Sequence, residues 1–259
     1  MPVHDPVVQG EFTGRVALVT GAGHGIGAAV ARALARLGAT VAAADRDADT
    51  LGELSGTWRD ACAARQGEPG AAARAGALAP YRLDVTDRAA VDATVAAVER
   101  DHGPLDILVN VAGVLRTAPA AELSDQDWAD TFAVNTTGVF HTSRAVASRM
   151  AMRRSGCIVT VDAGTAGIPH AGMAAYAASK AAAGMFTKCL GRELARSGVR
   201  CNVVAPGAAD TPTDRAAGGP LPRAAAPRDI ADAVVFLASD RARHITMQDL
   251  YVDGATALR

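Results

Sequence analysis

Short runs of β-branched and apolar residues alternate along the chain with longer stretches in which apolar residues recur at helical spacing. In one such stretch Ile26, Val30, Leu34 and Leu37 would share one face of a helix and pack against a sheet. Nearly continuous apolar strands that alternate with helices are typical of a parallel sheet covered on both faces. The predicted strands are Val16–Val19, Thr40–Ala43, Tyr81–Leu83, Ile107–Val109, Ile158–Val161, Val199–Val204 and Leu250–Val252, and the predicted helices are Ile26–Leu37, Val91–Asp101, Trp128–Met152, Ala174–Arg196 and Ile230–Leu237.

No repeat or break in composition divides the 259 residues, a length that suits one α/β core. We therefore predict a single domain over residues 1–259, in the α/β class and with a doubly wound parallel sheet. Two stretches, Arg65–Pro80 and Ala208–Pro227, are rich in alanine, glycine or proline and are predicted to be irregular. The first is predicted to be a surface connection. The second follows a predicted strand end, where open α/β sheets bind ligands, and is a candidate lid.

Composition and charge narrow the classes of function. The net charge of −1 and the aromatic content of 4% do not favour a nucleic-acid surface. No apolar run approaches the ~18 residues of a membrane span, and the N-terminal residues lack the basic-then-apolar layout of a signal peptide. Because Cys62, Cys157, Cys189 and Cys201 form no close pairs and no metal-ligand spacing, we predict free thiols, no metal site and a cytoplasmic location.

A glycine-rich segment, Thr20–Gly27, leads from the first predicted strand into the first predicted helix. Its glycines permit a tight turn, a close approach of the backbone to a pyrophosphate, and close packing of helix on strand. The start of the helix offers free N–H groups and a positive dipole end to phosphate. Such a turn alone can be purely structural, but here Asp45 ends the next strand. Its carboxylate suits the ribose hydroxyls of NAD and would repel the 2′-phosphate of NADP. The neighbouring Arg46 would attract that phosphate. On balance the carboxylate at the strand end favours NAD.

Tyr176 and Lys180 stand four residues apart in a predicted helix and therefore share one face. An ammonium beside a phenol stabilises the phenolate, lowers the pKa of the tyrosine and suits it to acid/base catalysis. Of the 26 basic residues only Lys180 and Lys188 are lysines, and the permanently high pKa of arginine would not serve here. A chance pair on a solvated helix face is the alternative, and the glycine-rich segment upstream weighs against it.

Three segments in this order and spacing, Thr20–Gly27, Asn110–Gly113 and Tyr176–Lys180, resemble the short-chain dehydrogenase/reductase family over essentially the whole chain. The resemblance implies a Rossmann-type domain, a homotetramer, catalysis by Tyr176 and Lys180, and a proton-relay water supported by Asn135. A second reading of Asn135, as an amide inside a helix that is bonded to a neighbouring backbone, is compatible with that role. Besides Asp45, Arg46, Tyr176 and Lys180, the implied cofactor residues are Gly21, His24, Gly25, Ile26, Gly27, Asp84, Val85, Asn110, Ala112, Gly113, Pro206, Gly207 and Thr211.

Further runs are similar to one branch of that family, the 2,3-dihydro-2,3-dihydroxybenzoate dehydrogenases. This similarity implies NAD-dependent oxidation of a cyclohexadiene diol carboxylate to the catechol acid used in siderophores and related metabolites. A hydride leaves the ring carbon that bears the hydroxyl, and the resulting ketone tautomerises to an aromatic ring, which makes the reaction strongly downhill. The similar runs are Leu115–Arg116, Asp127–Trp128, Thr131–Asn135, Gly198–Val204, His244–Leu250 and Val252–Gly254.

The chain departs from the family at the catalytic serine, whose position, 13 residues before Tyr176, is held by Ala163. Loss of such a hydrogen-bond donor to the substrate oxygen typically costs ~10²–10³ in turnover. Three explanations remain open. Thr165 or Asp162 takes over the role, the drive to aromatise lets Tyr176 and Lys180 suffice, or the chain is a catalytically weak or inactive NAD-binding homologue.

The substrate end shows further differences from the resembling enzymes. The stretch Ala208–Pro227 is shorter than theirs and has few large apolar residues, which leaves a related substrate open: trans-2,3-dihydro-3-hydroxyanthranilate, oxidised to 3-hydroxyanthranilate. A small-molecule carboxylate needs a cation. The candidates are Arg116 and His170, and at the position of His170 the resembling enzymes tend to carry arginine. Met173 is a candidate lining residue. The alternatives are a surface ion pair for Arg116, a solvated His170 and a packed Met173.

Overall fold

Seven strands form one parallel sheet in the computed structural model, which describes residues 10–64, 76–164, 167–207, 221 and 223–256. The strand order is β3-β2-β1-β4-β5-β6-β7, and every neighbouring pair is parallel. The strands are β1 (Val16–Thr20), β2 (Thr40–Asp45), β3 (Ala77–Arg82), β4 (Leu105–Asn110), β5 (Gly156–Val161), β6 (Val199–Pro206) and β7 (Asp249–Val252). This confirms the predicted α/β class with a doubly wound parallel sheet.

The helices cover both faces of the sheet and bury two separate apolar cores. One core lies against α1, α2 and α7, and the other against α3, α5 and α6. Because each central strand is buried on both sides, side chains of both parities along a strand are apolar, as parallel sheets require. The helices are α1 (Gly25–Arg36), α2 (Ala48–Ala64), α3 (Arg88–His102), α4 (Asp125–Phe132), α5 (Val139–Arg153), α6 (Ala174–Leu194) and α7 (Pro227–Ala238).

The structure corrects three predictions of local structure. Arg65–Pro80 is not irregular throughout, because its last four residues lie in β3; residues 65–75 are outside the described ranges. The helix α2 was missed because only three of its residues, Leu51, Leu54 and Trp58, are buried, which leaves a weak apolar pattern. The predicted helix Trp128–Met152 is interrupted by a π-helical turn, Ala133–Gly138.

The strand order reverses direction between β3 and β4, which places β1 beside β4 in the centre of the sheet. In open parallel sheets this reversal opens a crevice at the carboxyl ends of the strands, where ligands bind. The segments that follow β1, β2, β4, β5 and β6 all emerge at this edge. Within the described ranges, no helix is long and apolar enough to cross a membrane.

Candidate active site

A cavity of about 420 Å³ lies at the carboxyl ends of the strands, in the crevice between the segments that follow β1 and β4. It extends from the end of β2 to the start of α6, so that it can hold an elongated ligand. The structure brings together most of the residues predicted from sequence. Those that line the cavity are Gly21, His24, Gly25, Ile26, Gly27, Asp45, Arg46, Asp84, Val85, Ala112, Gly113, His170, Met173, Tyr176, Lys180, Pro206 and Gly207.

The glycine-rich turn packs directly against the segment after β4. A Cβ on Gly21, which has a φ of +65°, would lie 2.7 Å from the backbone nitrogen of Ala112. A Cβ on Gly27 would collide with the carbonyl oxygen of Gly21. Side chains are therefore excluded at both positions, which lets the turn pack against the segment after β4. The N-terminal end of α1, which can favour a phosphate group, lies at the cavity.

Asp45 ends β2 with its carboxylate held in place by two backbone N–H groups. Oδ2 accepts a hydrogen bond from the nitrogen of Gly23 at 2.9 Å, and Oδ1 accepts one from the nitrogen of Asp47 at 3.2 Å. The carboxylate is thereby tied to the glycine-rich turn at one end of the cavity. Arg46 lines the same end.

Asp84 and Val85 form the wall beyond β3. Oδ1 of Asp84 accepts hydrogen bonds from the backbone nitrogen of Thr86 at 2.9 Å and from its hydroxyl at 2.7 Å. These two bonds lower the pKa of Asp84, since they favour the ionised carboxylate. A fixed anion therefore stands where the family resemblance expects the adenine.

Asn110 does not line the cavity but lies buried beneath it. Its amide nitrogen donates to the hydroxyl of Ser143 at 3.0 Å, and its amide oxygen accepts from the hydroxyl of Thr142 at 2.7 Å. The hydroxyl of Thr20 accepts hydrogen bonds from the next two backbone nitrogens, which belong to Val111 and Ala112. Asn110 thus supports the wall that Ala112 and Gly113 present to the cavity.

Asn135 lies in the π-helical turn and is completely buried. Its Oδ1 accepts from the nitrogen of Val114 at 2.8 Å, while its Nδ2 donates to the oxygen of Val114 at 2.9 Å and to the hydroxyl of Ser179 at 3.0 Å. The side chain therefore ties the segment after β4 to α6, which agrees with the second reading made from sequence. The proton relay stays a prediction.

Tyr176 and Lys180 lie on the cavity side of α6, as their spacing predicts. Nζ of Lys180 is 6.0 Å from the centroid of the Tyr176 ring and donates a hydrogen bond to the carbonyl of Val161 at 2.8 Å. Burial lowers the pKa of Lys180, and the carboxylate of Asp162 opposes that effect. The ammonium and the tyrosine ring therefore lie near each other in the cavity, and their role in acid/base catalysis stays a prediction.

Ala163 lines the cavity at the position of the family serine and brings no hydroxyl group to it. Among the cavity-lining residues in the described ranges, only Tyr176 and Thr256 carry hydroxyls. The hydroxyl of Thr256 donates to the carbonyl of Asp253 at 2.7 Å. The neighbouring Asp162 is buried, and burial raises its pKa to about 7, with the ammonium of Lys180 as the main opposing influence.

The substrate residues predicted from sequence have different outcomes. His170 and Met173 line the cavity, whereas Arg116 does not: its Nε lies 3.2 Å from Asp127 and its terminal nitrogen 3.9 Å from Asp130, in surface ion pairs with α4. A role for Arg116 in binding substrate stays a prediction. Thr165 and Thr211 lie outside the described residues, as does most of the candidate lid Ala208–Pro227.

The cavity has further lining residues that sequence reasoning missed. Most of them are next to predicted motif residues in the chain, so their position beside the motifs could have identified them from the sequence. Asp253 and Thr256 follow β7, and the hydrogen bond from the nitrogen of Gly207 to the carbonyl of Val252 helps to hold this segment beside the end of β6. The missed residues are Leu83, Val111, Val114, Leu115, Val134, Val161, Gly164, Ile168, Asp253 and Thr256.

The fold and the Tyr–Lys pair place the protein in a class, and comparison with known proteins gives the same class. A family model described as short chain dehydrogenase matches residues 15–219. A solved structure, titled "Crystal structure of gox2181", superposes with a TM-score of 0.86 at 30% identity, covering 95% of this chain and 97% of that one. The chain belongs to the short-chain dehydrogenase family, as its motifs predicted, and is an oxidoreductase that uses a nicotinamide cofactor and acts on a CH–OH group of a small molecule.

Individual relatives narrow the similarity further. The chain is 46% identical to 2,3-dihydro-2,3-dihydroxybenzoate dehydrogenase of Bacillus subtilis, over 95% of this chain and 97% of the relative. It is 38% identical to the Escherichia coli protein of the same name, over 96% and 99%. D-threitol dehydrogenase of Mycolicibacterium smegmatis is 40% identical over 95% and 94%.

Proposed function

We propose that the protein oxidises 2,3-dihydro-2,3-dihydroxybenzoate, or a closely related dihydroaromatic carboxylate, to the aromatic hydroxy acid with NAD. The observation that carries this proposal is the similarity, nearly end to end, to two dehydrogenases of that name. The cavity that holds Tyr176 and Lys180 supplies the site. The product class is a catechol acid, which places the reaction in the biosynthesis of siderophores or related metabolites. No observation favours the amino analogue over the diol.

The choice of NAD rests on Asp45. Its carboxylate is fixed by the backbone nitrogens of Gly23 and Asp47, so that it cannot readily turn away from the adenosine end of the cavity. A carboxylate there accepts hydrogen bonds from both ribose hydroxyls and repels a 2′-phosphate. The residues present fit a dinucleotide, because Gly21, Gly25 and Gly27 line the cavity at the start of α1 and Asp45 lines it at the end of β2. When bound, the nicotinamide supplies the hydride acceptor.

Tyr176 is the general base for the hydroxyl of the substrate in this proposal. The ammonium of Lys180, held by the carbonyl of Val161, stabilises the phenolate so that Tyr176 can take the proton at neutral pH. Asn135 keeps the segment after β4 and helix α6 at a fixed separation. At the substrate end His170 lines the cavity and is the candidate partner of the ring carboxylate.

The absence of a serine at position 163 supports a second candidate function, a weak or inactive NAD-binding homologue. Ala163 cannot donate a hydrogen bond to the substrate oxygen, and the hydroxyl of Thr256 already donates to a carbonyl. We place reduced turnover ahead of inactivity because Tyr176, Lys180 and Asn135 are all present. Aromatisation of the product compensates on the energetic side, since it makes the overall reaction strongly downhill.

The decisive assay is NADH formation by the purified protein with NAD and trans-2,3-dihydro-2,3-dihydroxybenzoate. The amino analogue runs in parallel, and Tyr176→Phe is the control. We expect turnover that falls by ~10²–10⁴ in Tyr176→Phe, because the general base is lost, while the Kd for NADH measured by fluorescence stays within a few-fold. NADH binding without turnover on either compound would support the non-catalytic alternative. Faster turnover of the amino analogue would make that compound, and not the diol, the proposed substrate.

We also propose a cytoplasmic homotetramer. Four large apolar side chains, Trp128, Phe140, Met152 and Met185, are exposed on α4, α5 and α6, where a subunit interface would cover them. The cysteines are free thiols, which suits a reducing compartment. Light scattering on the purified protein should give four times the mass of the chain, and a mass equal to one chain would contradict the tetramer.

A further inference from the structure

Asp162 is a buried acid beside the catalytic pair that the proposed chemistry does not use. It directly follows β5, and its side chain is 8% exposed. Its Oδ1 is buried and has no hydrogen-bond partner among the described residues. A buried carboxylate oxygen without a partner is costly, so a compensating charge is needed nearby.

The surroundings of Asp162 provide both the space and the charge. A Cβ on Gly184 of α6 would lie 2.7 Å from Oδ2 of Asp162, so the carboxylate occupies room that only a glycine leaves open. Lys180 is one turn earlier on the same helix, and its Nζ donates to the carbonyl of Val161, the residue before Asp162. The ammonium of Lys180 is therefore bound to the residue next to Asp162 in the chain.

Few other charged groups among the described residues face Asp162. The attraction to Lys180 is the strongest influence that favours its ionised form, followed by the backbone N–H of Ala163 and by Lys188 further along α6. Asp249 of β7 acts in the opposite sense. Because Lys188 and Asp249 form an ion pair at 2.7 Å, their charges largely cancel at a distance. Lys180 is thus the dominant partner of Asp162.

We propose that Asp162 is a positioning residue for the catalytic pair, whose buried carboxylate keeps Lys180 in the charged form that Tyr176 requires. Burial alone would favour the neutral amine at position 180 and leave the phenolate of Tyr176 without its counter-charge. The carboxylate offsets this tendency. The consequence for catalysis rests on the proposed function, whereas the effect on Lys180 does not.

The titration of Lys180 can be followed directly, because the chain has only two lysines. Protein labelled with ¹³C-lysine gives two side-chain signals, and Lys188→Arg assigns them. We expect the midpoint of Lys180 to fall by about one pH unit in Asp162→Asn, as for the loss of a nearby opposite charge. In the unmutated protein the Lys180 signal should show a second, smaller step near neutral pH, where Asp162 itself ionises. This second step can be measured without any substitution at Asp162.

Three further variants separate charge from structure. Asp162→Glu should partly restore the midpoint, and Gly184→Ala should lower it by displacing the carboxylate. Asp249→Asn, the matched control, removes the ion-pair partner of Lys188 and should leave the midpoint of Lys180 nearly unchanged. If the enzyme is active, the alkaline limb of its kcat/KM profile should shift in Asp162→Asn by the same amount as the Lys180 midpoint. An unchanged Lys180 midpoint in Asp162→Asn, or a Lys180 signal without the second step in the unmutated protein, overturns the proposal even if turnover is normal. If the midpoint shifts but the protein has no turnover, only the proposed function is contradicted.

Discussion

The two ends of the cavity are built in different ways. At the cofactor end, glycines exclude side chains, backbone nitrogens fix Asp45, and buried amides hold the wall. At the end proposed to bind the substrate, side chains form the wall, and they include Asp162, Ala163 and His170. The first end depends on backbone geometry that requires glycines at positions 21 and 27. The second changes by single substitutions, which is why a family with one fold accepts many substrates.

The largest effect should come from the pH dependence of stability at the substrate end. The pKa of Asp162 is about 7 in the folded protein against 3.8 for an ordinary aspartate. Between these values the folded protein holds a proton that the unfolded chain has released, so stability falls as pH rises from about 4 to 7 and then levels off. Asp162→Asn does not titrate. Its unfolding free energy relative to the unmutated protein should therefore rise by up to about 4 kcal/mol between pH 4 and pH 8.

Chemical denaturation at pH 4.5, 6 and 8 measures this difference. Asp249→Asn provides the control, because it removes a partly exposed carboxylate that is paired with Lys188. A difference in unfolding free energy between Asp162→Asn and the unmutated protein that stays constant with pH would show that Asp162 is ionised throughout. Burial of this carboxylate would then not make stability depend on pH.

Ala163→Ser should sharpen the comparison next. The serine restores a hydroxyl donor to the substrate oxygen, and such donors are typically worth ~10²–10³ in kcat. We expect a rise of up to that size with no change in the Kd for NADH, since the cofactor end is untouched. Ala163→Cys has a similar volume and a weaker donor, so it should gain much less. A lower rate in Ala163→Ser would mean that another group already occupies that place.

Asp45→Asn tests the cofactor end by itself. The amide keeps a hydrogen-bond acceptor for the nitrogen of Gly23 but loses the charge that repels a 2′-phosphate. The ratio of kcat/KM for NADP over NAD should rise by about 10- to 100-fold, equivalent to about 1.4–2.7 kcal/mol, while the KM for the carboxylate substrate stays the same. Asp49→Asn, on the exposed start of α2, is the control for charge alone. A change in substrate KM would show that the two ends are coupled.

His170→Arg should have the smallest effect. Arginine offers a permanent charge and two donors to a carboxylate, so the KM for the ring substrate should fall by about 3- to 10-fold. His24→Gln, in the same cavity but at the glycine-rich turn, should instead alter the KM for NAD. If His170→Arg leaves the substrate KM unchanged, the carboxylate lies elsewhere, and Arg116, released from Asp127, becomes the candidate.

The sequence by itself determined the fold class, the glycine-rich turn and the placing of Tyr176 and Lys180 on one helix face; the catalytic role of that pair stays a prediction. These features are local: an apolar strand, a glycine-rich turn and an i, i+4 pair each follow from residues close together in the chain. The sequence also showed that Ala163 replaces the family serine, because the spacing between that position and Tyr176 lies within one segment of the chain. Helix α2 escaped prediction because its few buried residues leave little periodic signal.

Only the tertiary structure decided what distant segments do together. It turned Asn135 into a clamp between the segment after β4 and α6 through hydrogen bonds to Val114 and Ser179. It paired Arg116 with Asp127 outside the cavity. It also placed Asp162 in the space left by Gly184, close to Lys180. Each of these contacts depends on how strands and helices pack, and the free energy of a buried charge depends on all its neighbours at once, so no short segment of the chain encodes it.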